Sequence, residues 1–246
     1  MKPIRLILFD VDGVLTDGEA QGLDLDLFAH LAAMNRAAHD DSSLPAVTLC
    51  TGRPAPYVEV MLQAIKGHLP AVYENGCGLY VPRDYRFLQH PALDGNESMR
   101  DVRERLGEAL VKTGRIFFQP GKEHSLSLFP LNGVSVADLD PLAREALGSL
   151  QDLVDLTYSS SCLNVIPRGV DKGAGLRFLC ERSGYVLDEV LGVGDSDVDV
   201  PFLKLTGYSA APANAFDSVK QIVDYIAPHN TSKGVRDILQ HFGLPI

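Results

Sequence analysis

Residues 4–16 read IRLILFDVDGVLT, and the fold turns on how this stretch is understood. A short apolar run up to Phe9 meets two aspartates, Asp10 and Asp12, and then Gly13. A continuous apolar run of this length suits a strand buried on both faces, as in a parallel sheet. Ligands of open α/β sheets bind beyond the carboxyl ends of the strands. Asp10 and Asp12 belong there, with Val11 turned the other way. Two carboxylates so close repel each other unless one is protonated or a cation lies between them. Taken alone, the stretch is equally a strand end followed by an ordinary Asp-Gly turn.

The chain on either side of the cap region repeats the pattern. AVTLC at residues 46–50 reads as a second strand, ending in Thr51-Gly52-Arg53-Pro54. Between the two, Leu27, Leu31, Met34 and Ala38 recur at helical spacing, and Val58, Met61, Leu62 and Ile65 mark a second helix. A short strand at residues 71–73 is closed by Glu74-Asn75-Gly76. Farther on, Asp171 is a candidate cap for a helix through Leu176 and Leu179. A strand at 189–193 ends in Gly194-Asp195-Ser196-Asp197-Val198-Asp199. Further strands at 208–211 and 225–227 and helices near 216–223 and 235–242 complete the chain. Alternating strands and helices predict a doubly wound, Rossmann-like parallel sheet.

The middle breaks that alternation. A helix through Met99, Val102, Leu106 and Leu110 precedes two strands, 115–119 and 125–129, around a Pro-Gly turn. A helix through Leu139, Leu142, Ala146 and Leu150 precedes a second strand pair at 153–158 and 162–166. Helix, hairpin, helix, hairpin predicts a smaller α+β cap domain inserted at 82–167, between core segments 1–81 and 168–246.

Composition narrows the function. The 246 residues carry a net charge of −10, which argues against nucleic-acid and anionic-membrane partners. The apolar run before Asp10 is too short for a signal peptide, and nothing approaches transmembrane length. The four cysteines, Cys50, Cys77, Cys162 and Cys180, form no C-x-x-C pair, which suggests a reducing cytoplasm. The sequons at Asn96-Glu97-Ser98 and Asn230-Thr231-Ser232 are then read as chance. Nothing in the sequence specifies an oligomeric state.

Three strand ends therefore bring Asp10/Asp12, Thr51 and Asp195/Asp199 to one sheet edge, with Lys172 in reach at the start of a helix. Clustered carboxylates without His or Cys favour a hard cation, Mg²⁺ before Ca²⁺ or Zn²⁺. The seven histidines show no ligand spacing. A hydroxyl, a lysine and free backbone N–H groups are what a phosphoryl group needs. One aspartate can attack phosphorus while a second, two residues on, moves the proton.

DVDGV at 10–14, TGR at 51–53, GVDKG at 169–173 and GDSDVD at 194–199 resemble, in order, the four motifs of haloacid dehalogenase superfamily phosphatases. The resemblance spans the whole chain, and the ENG at 74–76 also recurs in this subgroup. The cap's position between motifs two and three is similar to the Cof-like, sucrose-phosphatase-like and archaeal phosphoglycolate phosphatase-like branch. It implies a Mg²⁺-dependent phosphatase acting on a small phosphorylated metabolite through an aspartyl-phosphate, with Asp10 as nucleophile and Asp12 as general acid/base. Thr51, Gly52 and Lys172 would hold the phosphoryl. Asp10, Asp12 (through its backbone carbonyl) and Asp195 would bind the metal, with Asp199 a ligand or its support. Arg53 and Asn75 would lie at the cleft mouth near the rest of the substrate. The branch usually has Asn-Asp at the end of motif four, where this chain has Val198-Asp199. Two other readings stand beside this one: a phosphomannomutase-like phosphotransferase, and a catalytically weak phospho-ligand-binding protein. Asp197 reads as a helix cap, and Lys122, His124 and Asn164 in the cap region read as surface groups.

Overall fold

The computed structural model describes residues 2–95 and 98–245, so Asn96 and Glu97 of the first sequon lie outside the described residues. In chain order the elements are β1 (Leu6–Phe9), α1 (Leu25–Asp40), β2 (Ala46–Leu49), α2 (Ala55–Ala64), β3 (Ala71–Tyr73), β4 (Gly78–Val81) and β5 (Arg86–Gln89). They continue with α3 (Ser98–Leu106), β6 (Ile116–Phe118), β7 (Leu126–Pro130), α4 (Leu139–Leu147), β8 (Val154–Tyr158) and β9 (Leu163–Pro167). The last are α5 (Lys172–Ser183), β10 (Val190–Val193), α6 (Val200–Leu203), β11 (Tyr208–Ala211), α7 (Asp217–Lys220), β12 (Tyr225–Ile226) and α8 (Thr231–His241).

The central sheet runs β12-β11-β10-β1-β2, with every pair parallel. A parallel bridge from Cys50 to Val72 extends it toward β3. Side chains alternate along a strand, so β1 serves both faces. Ile7 and Phe9 pack with α1, α2 and α8. Leu6 and Leu8 pack with α5, α6 and α7. The all-apolar run of β1 thus reflects helices on both sides of the sheet. Because the strands are parallel, β1, β2 and β10 release Asp10, Thr51 and Asp195 at one edge.

The inserted unit has its own antiparallel sheet, β6-β7-β9-β8. Leu126 and Leu128 of β7 and Leu163 and Val165 of β9 pack under α3 and α4 in a separate apolar cluster. The intervening residues, Ser127 and Asn164, are register partners on the opposite face. Both are buried as well, because that face closes over the edge of the central sheet. The alternation of Ser125-Leu-Ser-Leu, which alone suggests one buried face, thus has its polar side covered too.

One element is absent from the sequence reading. β4 and β5 form an antiparallel hairpin on β3. Leu79 and Leu88 of this hairpin pack in the second core cluster. The expected boundary at Pro82 falls in the turn between these strands, and the insertion's own apolar cluster begins only at Met99. Among the described residues, no helix is long and apolar enough to cross a membrane.

Gly76 joins β3 to the start of α5. It sits at φ 104°, and a Cβ there would lie 2.0 Å from the carbonyl oxygen of Asp171. Left-handed strain and a backbone clash act together. Gly76→Ala is expected to destabilise the protein by about 2 kcal/mol or more, read as a lowered midpoint in urea unfolding.

Candidate active site

Each site residue is placed by a strand end or a helix start. Lys172 opens α5, where the Asp171 carboxylate accepts the Ala174 N–H at 2.7 Å and caps the helix. That placement carries the Lys172 ammonium, 1% exposed, to 2.8 Å from Asp10 Oδ1 and 2.5 Å from Asp199 Oδ1. Asp199 Oδ2 in turn accepts the N–H groups of Asp195 and Ser196, each at 3.0 Å, and the Ser196 hydroxyl at 3.1 Å. Ser196 and Asp199 thereby form a capping box. Asp197, expected to cap, is instead exposed and accepts a hydrogen bond from the Ser218 hydroxyl. The helical turn starts at Asp197, so the cap must come from the residue before it.

Asp10, Asp195 and Asp199 each place a carboxylate oxygen within 4.8 Å of the others, and all three are buried. Burial first, then the Asp199 charge, pushes Asp10 up to about 7, although Lys172 opposes the shift. Burial, then Asp199 and Asp10, pushes Asp195 up to about 9. For Lys172, burial alone would lower its pKa, but the two aspartates outweigh that and hold it above its ordinary value. Asp195 Oδ1 is buried without a hydrogen-bond partner. An orphaned carboxylate oxygen in an all-oxygen cluster fits a hard divalent cation. Gly13, at φ 87°, makes the space: a Cβ there would lie 2.2 Å from Asp195 Oδ2.

Asp12 stands apart from this cluster. Its carboxylate takes both arms of the Arg53 guanidinium, from Nε and Nη2, each at 2.6 Å. Arg53 also lies over the Tyr57 ring, 4.6 Å from the centroid. The structure thus gives Arg53 a partner that the sequence reading did not foresee, while leaving it in the wall of the cleft.

The second and third strand ends are tied together. Asn75 N–H donates to the Thr51 carbonyl at 3.1 Å and Glu74 N–H to the Arg53 carbonyl at 3.0 Å. The connection requires Glu74 and Asn75 to adopt successive left-handed conformations, φ 49° and 57°, a strained pairing for non-glycine residues. Thr51, Gly52 and Asn75 line the same pocket as Asp10, Asp12, Lys172 and Asp195, and Val198 forms part of its wall. Asn75 Nδ2 is a second buried atom with no partner.

The roof of the pocket is where sequence reasoning erred. Lys122 and Asn164 are not surface groups: both are buried and both line the pocket. Lys122 donates to the Ser127 hydroxyl, which donates to Asn164 Oδ1 at 2.7 Å. His124 is only part-buried and does not line the pocket. Glu74 joins roof to floor. Its carboxylate accepts the N–H groups of Glu123 (2.9 Å), His124 (2.9 Å) and Ser125 (2.8 Å) and the Ser125 hydroxyl (3.1 Å). The available sequence signal was Ser125-Leu-Ser-Leu, whose serines form the strand's other stripe.

Comparison with known proteins agrees with this arrangement. Residues 127–239 match the haloacid dehalogenase-like hydrolase family. A curated phosphoglycolate phosphatase from Methanopyrus kandleri is 28% identical over 239 residues, covering 96% of this chain and 95% of its own. A solved structure from Thermoplasma acidophilum superimposes with a TM-score of 0.78 at 24% identity, covering 98% of this chain and 99% of that one. The sucrose-phosphatase of Synechocystis, solved with sucrose and phosphate, has a TM-score of 0.71 at 18% identity over 98% of this chain and 99% of its own. The chain is similar to the haloacid dehalogenase-like hydrolases over residues 127–239 and shares its fold with these solved structures.

The raised carboxyls make stability depend on pH. A carboxyl whose folded pKa lies above its unfolded value of 3.8 binds more protons in the folded chain. Its stabilising contribution is whole below 3.8 and is lost as pH rises through about 7 for Asp10 and about 9 for Asp195. In EDTA, the melting temperature is therefore expected to fall as pH rises across that window. An excess of a divalent cation should flatten the fall, and Asp195→Asn should remove its upper part. Thermal melts across the pH range check all three.

Proposed function

We propose that this protein is a phosphatase, a Mg²⁺-dependent phosphomonoesterase acting on a small phosphorylated metabolite through an aspartyl-phosphate on Asp10. The observation that carries the reading is the pocket itself. It holds a buried carboxylate pinned by a lysine, a second carboxylate two residues on, and two orphaned polar atoms, one an acceptor and one a donor.

Asp10 attacks phosphorus, forming the acyl-phosphate bond as the ester P–O bond breaks. Asp12 gives its proton to the leaving oxygen, then takes one from the water that attacks phosphorus, releasing inorganic phosphate and restoring Asp10. The Arg53 fork holds Asp12 as a carboxylate, the form that takes the proton of the attacking water, and one Asp12 oxygen leaves the fork when it carries a proton to the leaving oxygen. Lys172 offsets charge beside Asp10, while Thr51 and the unpartnered Asn75 amide supply donors for the phosphoryl oxygens. Mg²⁺ would be held by Asp10, the Asp12 carbonyl and Asp195, and bound there it neutralises charge building on the phosphoryl group. Asp199 orients rather than ligates, because both of its oxygens are already engaged.

The inserted unit, whose own apolar cluster begins at Met99, serves as the cap that excludes bulk water. Substrates consistent with this reading are a sugar phosphate or phosphoglycolate, the latter being the substrate named for several curated relatives. A reducing cytoplasm suits the four buried, unpaired thiols.

Phosphate release from p-nitrophenyl phosphate, with Mg²⁺ and with EDTA, tests the reading. Release should require Mg²⁺, and Asp10→Asn should lower kcat at least about ten-thousandfold with the fold intact by circular dichroism. Normal turnover by that variant would remove Asp10 as nucleophile. Exchange of phosphate between sugar positions without net release would favour the phosphotransferase instead.

A further inference from the structure

Lys122 is a cation that the chemistry on phosphorus does not use. It is 6% exposed, and burial pushes its pKa below the ordinary lysine value. An ammonium has three N–H groups to place, yet the contact recorded for this one is to the Ser127 hydroxyl. Among the described residues, no carboxylate lies within 4.0 Å of it. Glu74, whose charge acts on Lys122, is occupied by three amides and a hydroxyl, and Glu19 in the pocket wall accepts the Ser161 hydroxyl at 2.7 Å.

The ammonium is also held in place. Arg103 donates to the Lys122 carbonyl at 2.8 Å, and Glu74 clamps the next three residues. A buried charge with one neutral partner is costly unless something in the pocket completes it. Lys122 lines the same pocket as the Asp10–Lys172 pair, so a phosphomonoester seated on Asp10 shares that space with the Lys122 ammonium. In this arrangement the cavity is small, about 50 Å³, enough for a few non-hydrogen atoms when one water needs roughly 10–15 Å³.

We infer that Lys122 is the specificity-determining residue of this phosphatase, its ammonium receiving a carboxylate on a short leaving group. The inference rests on the phosphomonoesterase reading above and says which esters that site prefers. A carboxylate offers two charged acceptors to the unfilled N–H groups. The hydroxyl of a polyol fills one and leaves the charge uncompensated. The Ser127–Asn164 pair behind Lys122 aims it and keeps its first N–H satisfied.

Two pairs of substrates isolate the effect, each differing only by a carboxylate in place of a hydroxymethyl group. They are phosphoglycolate with hydroxyethyl phosphate, and 3-phosphoglycerate with glycerol 1-phosphate. The wild-type enzyme should favour the carboxylate member of at least one pair by about a hundredfold or more in kcat/KM. In Lys122→Met that ratio should fall to within about threefold, with Lys122→Gln close to it. The melting temperature of substrate-free Lys122→Met should hold or rise, because a poorly compensated buried charge has been removed.

A wild-type enzyme that hydrolyses both members alike, or prefers the hydroxymethyl esters, overturns the inference and leaves the phosphatase reading standing. So does a carboxylate preference that survives in Lys122→Met. Equal losses on both members, with a lowered melting temperature, would make Lys122 a structural residue only. Absence of release from all four esters and from p-nitrophenyl phosphate would take both readings down together.

Discussion

The Lys172 ammonium is shared between Asp10 at 2.8 Å and Asp199 at 2.5 Å, all three buried, and the architecture of the floor depends on this contact. Breaking it by removing one partner would strand a charge in the interior, which is far costlier than losing a surface pair. The contact therefore fixes three elements at once: the end of β1, the first turn of α5 and the loop after β10. Asp199 then holds the amides of Asp195 and Ser196, so the third loop is set by the same carboxylate that meets the lysine. One positive charge among the clustered carboxylates is still too little. Burial and their acidic neighbours hold Asp10 and Asp195 above the ordinary carboxylate range even with Lys172 beside them.

Roof and floor are joined by a second buried carboxylate. Glu74 sits in a left-handed conformation that an unbranched polar residue adopts only under constraint. Its four hydrogen bonds into residues 123–125 provide that constraint. The same loop bonds to Thr51 and Arg53. A shift of the cap strand would thus be felt at Thr51 and Arg53, and the reverse. Coupling of this kind runs through the Glu74 carboxylate and the backbone amides of Glu74 and Asn75, not through the apolar cores, which are separate.

Much of this was legible in the chain because the relevant rules are local. The apolar run before Asp10 could only be a doubly covered strand, and the alternation of strand and helix implied that Asp10, Thr51 and Asp195 leave the sheet at one edge, as they do. What was not legible depends on which side of an element meets another. Ser125 and Ser127 look like a solvent stripe, and nothing in the sequence says that a second domain covers them. Lys122 was read as a surface lysine for the same reason. The hairpin of β4 and β5 was missed because its residues 82–84 resemble a linker and its pairing partner, β3, is only three residues long. The Arg53–Asp12 fork was unforeseen because the two residues are 41 positions apart, and no pattern in one sequence reports such a pairing.

An acidic chain, net −10, that receives anions must concentrate its positive charge where the anion sits. Three buried or half-buried cations line this one pocket: Lys172, Arg53 and Lys122. Each has a different partner. Lys172 is committed to Asp10 and Asp199, and Arg53 to Asp12. Lys122 alone is bound only to a hydroxyl. Two of the three charges are therefore balanced by the protein itself and keep their geometry whether or not substrate is present. The third is balanced only by what enters. Selectivity follows from that asymmetry, because a ligand gains most where it completes a charge that folding left open. The field of the protein as a whole is screened over roughly a Debye length, whereas these contacts act at hydrogen-bond distance inside a water-poor cleft. Net charge thus bears on which macromolecules stay away, and the placement of three side chains on which small anion stays.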